Sequence, residues 1–161
     1  MSERRTARIE RTYDASPAEV WELWTTADGI ESWWGPEGFG VEVHDLDVRP
    51  GGKMTYSMIA EAAEMKAFME AQGMPTTTTH DMHFTEVVPY RRLSYRNAVD
   101  FVPGVETYNV GTRLELEPHG AGTRLTLILD AMHDDHWTEM SVAGWKQQLD
   151  NLAETLKEKT L

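Results

Sequence analysis

From Phe39 to Ala131 the apolar residues of this chain recur mostly at every second position, whereas from Val142 to Leu156 they recur at every third or fourth. Period two belongs to strands with one buried face, and the longer period belongs to a helix with one apolar stripe. The alternating sets are Phe39, Val41 and Val43; Met54, Tyr56 and Met58; His80, Met82 and Phe84; Leu93 and Tyr95; Tyr108, Val110, Thr112, Leu114 and Leu116; and Leu125, Leu127, Leu129 and Ala131. Turn residues separate them: Arg49-Pro50-Gly51-Gly52 after the first, Pro89 after the third, and His119-Gly120-Ala121-Gly122 before the last. The final two sets therefore read as a hairpin.

The closing helix is expected from about Asp134 to Lys157. Its main stripe is Val142, Trp145, Leu149, Leu152 and Leu156, with Trp137, Met140 and Gly144 forming a broader apolar flank. A helix apolar over that width needs cover along most of its length.

Before Phe39 the pattern differs. Arg4 to Tyr13 alternates weakly, as an edge or half-buried strand does. Ser16-Pro17-Ala18-Glu19 spells a capping box with proline at the first helical position. Ala15 and Val20 can form a small hydrophobic staple across it, and Val20, Leu23, Trp24 and Ala27 continue the helical seam. Asp28 restarts a second short helix through Ile30, Trp33 and Trp34, which Gly35-Pro36 ends. One strand, two short helices, about six antiparallel strands and one long helix make an α+β chain. No repeat or linker divides residues 1–161, so one domain is expected.

Composition narrows function mainly by exclusion. The 161 residues carry 15 basic and 27 acidic side chains, a formal net charge of −12. A chain so acidic repels phosphate backbones and anionic membranes, and no basic stripe opposes this. No apolar run approaches the ~20 residues of a membrane span. The start, Met1-Ser2-Glu3-Arg4-Arg5, lacks a signal peptide's apolar core. With no cysteine at all, a cytoplasmic protein without disulfides or Cys-based metal sites is the expectation.

Chemistry-bearing residues are sparse. His133 and His136 flank Asp134 and Asp135, but at a helix start such acids act as caps, and no further ligand pattern supports a metal. His44, His80 and His83 are dispersed on strands. His80 shares its face with Met82 and Phe84, which makes it the candidate polar group of an interior pocket; the competing reading is a histidine satisfied at the strand end. Asp130 and Glu139 come nearest to that pocket by position. No nucleophilic triad and no phosphate-cradling glycine loop is present, and no cofactor is called for.

The order of several segments resembles the activator of heat-shock-ninety ATPase homologue family, within the START and pollen-allergen-like (SRPBCC) superfamily. The segments are Tyr13-Asp14-Ala15-Ser16-Pro17-Ala18-Glu19-Val20-Trp21, Trp33-Trp34-Gly35-Pro36, Asp45-Leu46-Asp47-Val48-Arg49-Pro50-Gly51-Gly52, Thr85-Glu86-Val87-Val88-Pro89 to Arg92-Leu93, Gly122-Thr123-Arg124-Leu125, and Gly144-Trp145 with Leu149 and Leu152. The resemblance implies a helix-grip fold: a curved antiparallel sheet of six to seven strands around the long C-terminal helix, with a pocket between them. Two features depart from the family's common pattern. A helical insertion at about 60–77, with Met65, Phe68 and Met69 on one face, is either a lid or a fixed cap on the sheet edge. The apolar loop Phe101-Val102-Pro103-Gly104-Val105 is a second candidate for the pocket mouth.

The inward faces then offer Trp34, Phe39, Tyr56, Met58, His80, Met82, Phe84, Tyr95, Tyr108, Met140 and Trp145 as ligand-binding residues. Each would also serve as ordinary core, but an apolar pocket with a few polar handles uses the same side chains. Tyr56, Tyr95 and Tyr108 are the natural handles, because a buried hydroxyl seeks a partner. The reading is a small-molecule binding protein for a lipid-like or aromatic ligand. The alternatives are a cyclase- or lyase-like enzyme on an enclosed apolar substrate and, from the family's name, a partner stimulating a chaperone ATPase. An outer sheet face carrying residues such as Ile128 would allow a homodimer.

Overall fold

In a computed structural model, residues 5–35, 38–99 and 104–159 are described here. The order is β1 (Thr6–Tyr13), α1 (Pro17–Thr25), α2 (Ala27–Trp33), β2 (Phe39–Leu46), β3 (Lys53–Ala60), α3 (Ala63–Ala71), β4 (Thr77–Val88), β5 (Arg92–Val99), β6 (Tyr108–His119), β7 (Gly122–Asp130) and α4 (Asp135–Lys159). All seven strands form one antiparallel sheet in the order β1-β7-β6-β5-β4-β3-β2. Short α1 and α2 carry the chain from one edge strand to the other. The rest then meanders back until β7 pairs with β1, so both chain ends of the sheet meet at one edge.

Local chemistry sets the early helices. Ser16 Oγ accepts from the Glu19 amide at 3.2 Å, with Pro17 at the first helical position. The reciprocal arm differs from a standard capping box: the Glu19 carboxylate accepts from Ser16 Oγ itself, at 3.2 Å. α2 begins one residue earlier than Asp28 suggests, because Thr26 supplies its own cap and accepts from the Gly29 amide at 3.1 Å. The Trp33 indole N–H donates to the Leu23 carbonyl at 2.7 Å, which locks α2 against α1.

The Arg49-Pro50-Gly51-Gly52 turn shows two distinct uses of glycine. Gly51 has a φ of 85°, where a side chain is strained. Gly52 has no such φ, but a Cβ there would lie 2.0 Å from the Asp47 carbonyl oxygen. The turn is clipped onto β4 as well: the Gly51 amide donates to the Phe84 carbonyl at 2.8 Å, and the Phe84 amide to the Gly52 carbonyl at 2.9 Å.

The sheet curves around α4, with irregular register between Val43 and Asp45 and between Phe84 and Glu86. Such bulges bend and twist the strands that contain them. Its concave face, carrying Ile9, Met54, Leu93, Leu114, Leu125 and Leu127, is the floor of the core. α4 covers it unevenly. Leu149, Leu152 and Leu156 in its C-terminal half are buried, while residues 135–148 are half-buried or exposed. The buried half is tethered: Gln148 Nε2 donates to the Trp34 carbonyl, Asn151 Nδ2 to the Gly35 carbonyl at 3.3 Å, and the Tyr13 hydroxyl to the Leu149 carbonyl at 3.2 Å.

The insertion forms α3, anchored by buried Met69 while Phe68 stays exposed. No residue of α3 lines the main interior hollow, so the segment sits on the β2–β3 side of the sheet rather than over that space. The loop Phe101-Val102-Pro103 lies outside the described residues.

Candidate ligand-binding site

The N-terminal half of α4 stands off the sheet, and the space beneath it is a hollow of about 360 Å³. For scale, a cavity of about 150 Å³ suffices to take up benzene. The floor comes from five adjacent strands: Tyr56 and Met58 of β3, Met82 of β4, Tyr95, Asn97 and Val99 of β5, Val110, Gly111 and Thr112 of β6, and Leu129 and Asp130 of β7. Cross-strand register explains the grouping, since Met82 pairs with Asn97, Asn97 with Val110, Tyr95 with Thr112, and Thr112 with Leu129. Trp34, Met132 and the α4 residues Trp137, Met140, Ser141, Trp145 and Gln148 complete the wall.

Trp145 is the hinge between core and hollow. Its ring stacks on buried Trp24 (centroids 5.8 Å, planes 9° apart) and meets Trp34 edge-on at 5.4 Å. Trp34 in turn contacts Tyr56 and Tyr95 at 6.1 and 6.4 Å. These rings interlock without filling the space beneath Ser141 and Met140.

The polar groups of the hollow are few. The Tyr95 phenol is fully enclosed, and no hydrogen bond of acceptable geometry reaches its oxygen, although Thr112 is its cross-strand partner. Burial pushes its pKa well above the ordinary tyrosine value, the neighbouring Tyr56 phenol pushes it in the same direction, and the Thr112 side chain offsets part of the rise. Burial also raises Tyr56, with the Trp34 side chain partly offsetting the rise. Both phenols are therefore uncharged donors at any physiological pH. Asp130 Oδ2 accepts from the Gly111 amide at 2.8 Å, and a Cβ on Gly111 would crowd that oxygen at 3.1 Å. Among the described residues that line the hollow, none is basic.

Of the residues expected from sequence, Trp34, Tyr56, Met58, Met82, Tyr95, Met140 and Trp145 border the hollow, and four do not. Phe39 belongs to a separate cleft with Trp33, Asn151 and Thr155, because β2 is the far edge strand and packs against α2. His80 pairs with Tyr56 across the strands and its ring contacts the Tyr56 ring at 5.4 Å, outside the hollow's lining, while the Thr78 hydroxyl lies 2.9 Å from Nε2. Phe84 is packed beneath Tyr95 in the solid core, with ring centroids 6.4 Å apart. Tyr108 begins β6 beyond the hollow, where its hydroxyl meets His133 Nδ1 at 2.7 Å and accepts from the His133 amide at 3.1 Å.

Asn97, Thr112, Ser141 and Gln148 were not singled out. Asn97 and Thr112 share the strand parity of Tyr95 and Val110, and Ser141 and Gln148 flank Trp145 at helical spacing, so the signal was periodicity applied to polar residues. His133 is engaged by Tyr108, and Asp134 caps α4 through the Trp137 amide at 2.8 Å. No group of three or more metal-ligand side chains comes together among the described residues.

A second cleft, of about 520 Å³, lies on the outer sheet face and is lined by Arg8, Arg91, Arg92, Glu115 and Glu117 with few apolar atoms. Three arginines there face two glutamates, and Arg92 also pairs with Glu86 at 3.5 Å. The inner hollow is the better site, because apolar walls with few polar groups are what a small molecule exploits.

A curved antiparallel sheet gripping one long C-terminal helix, with two short helices after the first strand, defines a helix-grip protein of the SRPBCC class. The chain belongs to the family described as activator of Hsp90 ATPase homolog 1-like protein, whose model matches residues 14–157. Solved structures agree. A protein from Chromobacterium violaceum is 25% identical, with a TM-score of 0.76 over 93% of this chain and 95% of its own. A protein from Nitrosomonas europaea is 22% identical, with a TM-score of 0.76 over 99% of both chains. The AHSA1 protein from Silicibacter pomeroyi is 22% identical, with a TM-score of 0.73 over 96% of this chain and 99% of its own. No functionally curated protein matches the chain. No helix among the described residues is long and apolar enough to cross a membrane.

Proposed function

We propose that this protein binds one small, predominantly apolar molecule in the hollow between the sheet and the N-terminal half of α4. One observation carries the reading. The same helix that buries Leu149, Leu152 and Leu156 to completion leaves a space of about 360 Å³ one or two turns earlier. Interiors are ordinarily packed without voids of this size, and at Gly111 the neighbour a Cβ would crowd is the Asp130 carboxylate. The lining of Trp, Tyr and Met supports an apolar guest, and the methionines adapt to its outline.

An enzymatic reading would need an acid or base at the guest. Asp130 is the acidic side chain among the lining residues, but its Oδ2 already accepts from the Gly111 amide. Stimulation of a chaperone ATPase, which the family's name brings to mind, would require a docking surface, and the hollow does not provide one. Binding is thus the simpler function.

The test is calorimetric titration with 2-ethylnaphthalene, an uncharged two-ring probe. The expected result is saturable one-to-one uptake with a negative heat-capacity change. Absence of saturable uptake by the intact protein overturns the reading.

A further inference from the structure

Resting on that reading, the lining chemistry goes further than "apolar". We propose that the hollow selects an uncharged molecule bearing a carbonyl-type hydrogen-bond acceptor, taken up by the Tyr95 hydroxyl, and that it rejects carboxylates such as fatty acids.

Three observations converge. The first is the enclosed Tyr95 oxygen, which the Thr112 side chain approaches without completing a hydrogen bond of acceptable geometry. An orphaned hydroxyl is a standing cost of the empty protein, removed when an acceptor arrives. Tyr95 lines the hollow together with Met58 and Met82, whose unbranched side chains can yield to admit that acceptor. The second is that Tyr95 is held neutral by burial and by its Tyr56 neighbour, so it has a proton to donate. The third is charge. No described lining residue is basic and Asp130 is among them, in a chain of net charge −12. A carboxylate entering this space would lose its hydration with no cation to replace it. A ketone loses little hydration and gains the phenol's hydrogen bond. A plain hydrocarbon fits but leaves the hydroxyl orphaned.

Three probes of matched shape separate these cases: 2-acetylnaphthalene, 2-ethylnaphthalene and 2-naphthoate, each titrated at neutral pH into wild type and Tyr95→Phe. The ketone is expected to bind wild type about tenfold more tightly than the hydrocarbon, as one well-made buried hydrogen bond allows. The naphthoate is expected to bind most weakly. In Tyr95→Phe the ketone's preference should collapse while hydrocarbon affinity is retained, which loss of fold could not produce. Naphthoate binding as tightly as the ketone overturns the inference, as does a ketone preference that survives in Tyr95→Phe. Should 2-ethylnaphthalene bind and the ketone gain nothing, this inference fails and the apolar site stands. If none of the three binds, both fall together.

Discussion

Filling the hollow from the helix side should stabilise this protein, whereas filling its core should not. Ser141 is half-buried, lies on the face of α4 shared with Trp137, Trp145 and Gln148, and borders the space. A tryptophan buries about 150–250 Å² when fully enclosed. If about 100 Å² of that enters the hollow, burial contributes about 2.5 kcal/mol at about 25 cal/mol per Å². Freezing the side chain costs about 1 kcal/mol. Serine and tryptophan have similar helix propensities, so the backbone adds little. Ser141→Trp should therefore gain about 1–2 kcal/mol, read as a raised urea midpoint at unchanged slope. It should also abolish uptake of 2-ethylnaphthalene. Leu152→Trp is the control, because Leu152 has no exposed surface and overpacking there should cost about 1–3 kcal/mol or more. A Ser141→Trp protein destabilised as much as the control would mean that the space is not available, and the reasoning would be wrong.

Other expectations are independent of any ligand. Leu149→Ala should lose about 2–5 kcal/mol in urea denaturation, since Leu149 is fully buried beneath the tethered half of α4. Gly122→Ala should be severely destabilising despite an ordinary φ, because its Cβ would lie 2.0 Å from the Tyr13 carbonyl oxygen; a change within about 0.5 kcal/mol, the range of neutral surface substitutions, would contradict this. Alkali should weaken the fold through Tyr13, Tyr56 and Tyr95, all raised chiefly by burial. Above a pH of about 10 the unfolded chain releases phenolic protons that the folded one keeps, so stability falls by about 1.4 kcal/mol per pH unit for each such tyrosine. Tyr95→Phe should make that decline measurably shallower in denaturation series from neutral to alkaline pH.

Much of the fold was legible because its signals are local. Alternation assigned the strands, the Ser16–Glu19 segment announced α1, and the spacing of Leu149, Leu152 and Leu156 gave the buried stripe of α4. The hollow was less legible, because parity tells which face of a strand a residue occupies but not how far along the sheet α4 stays in contact. Phe84 and Tyr95 share a face, yet one lies in solid core and the other borders the space. Phe39 and Tyr108 lie outside the hollow for a related reason, being set at strand ends away from the middle of the sheet. The polar lining is hard to read from sequence because Asn97, Ser141 and Gln148 interrupt an apolar pattern, although they fall on its period. The capping box was recognised correctly in its residues, but the carboxylate's choice of the Ser16 hydroxyl over the Ser16 amide depends on side-chain rotamers that spacing does not fix.

The most direct test labels the methionine methyl groups and follows them by NMR during titration with 2-ethylnaphthalene. Met58, Met82, Met132 and Met140 line the hollow, whereas Met69 anchors α3 and Met74 is exposed beside it. Binding in the hollow predicts saturable shifts of the first four resonances, with Met69 and Met74 unmoved. Shifts confined to Met69 and Met74, or none at saturating probe, would contradict it.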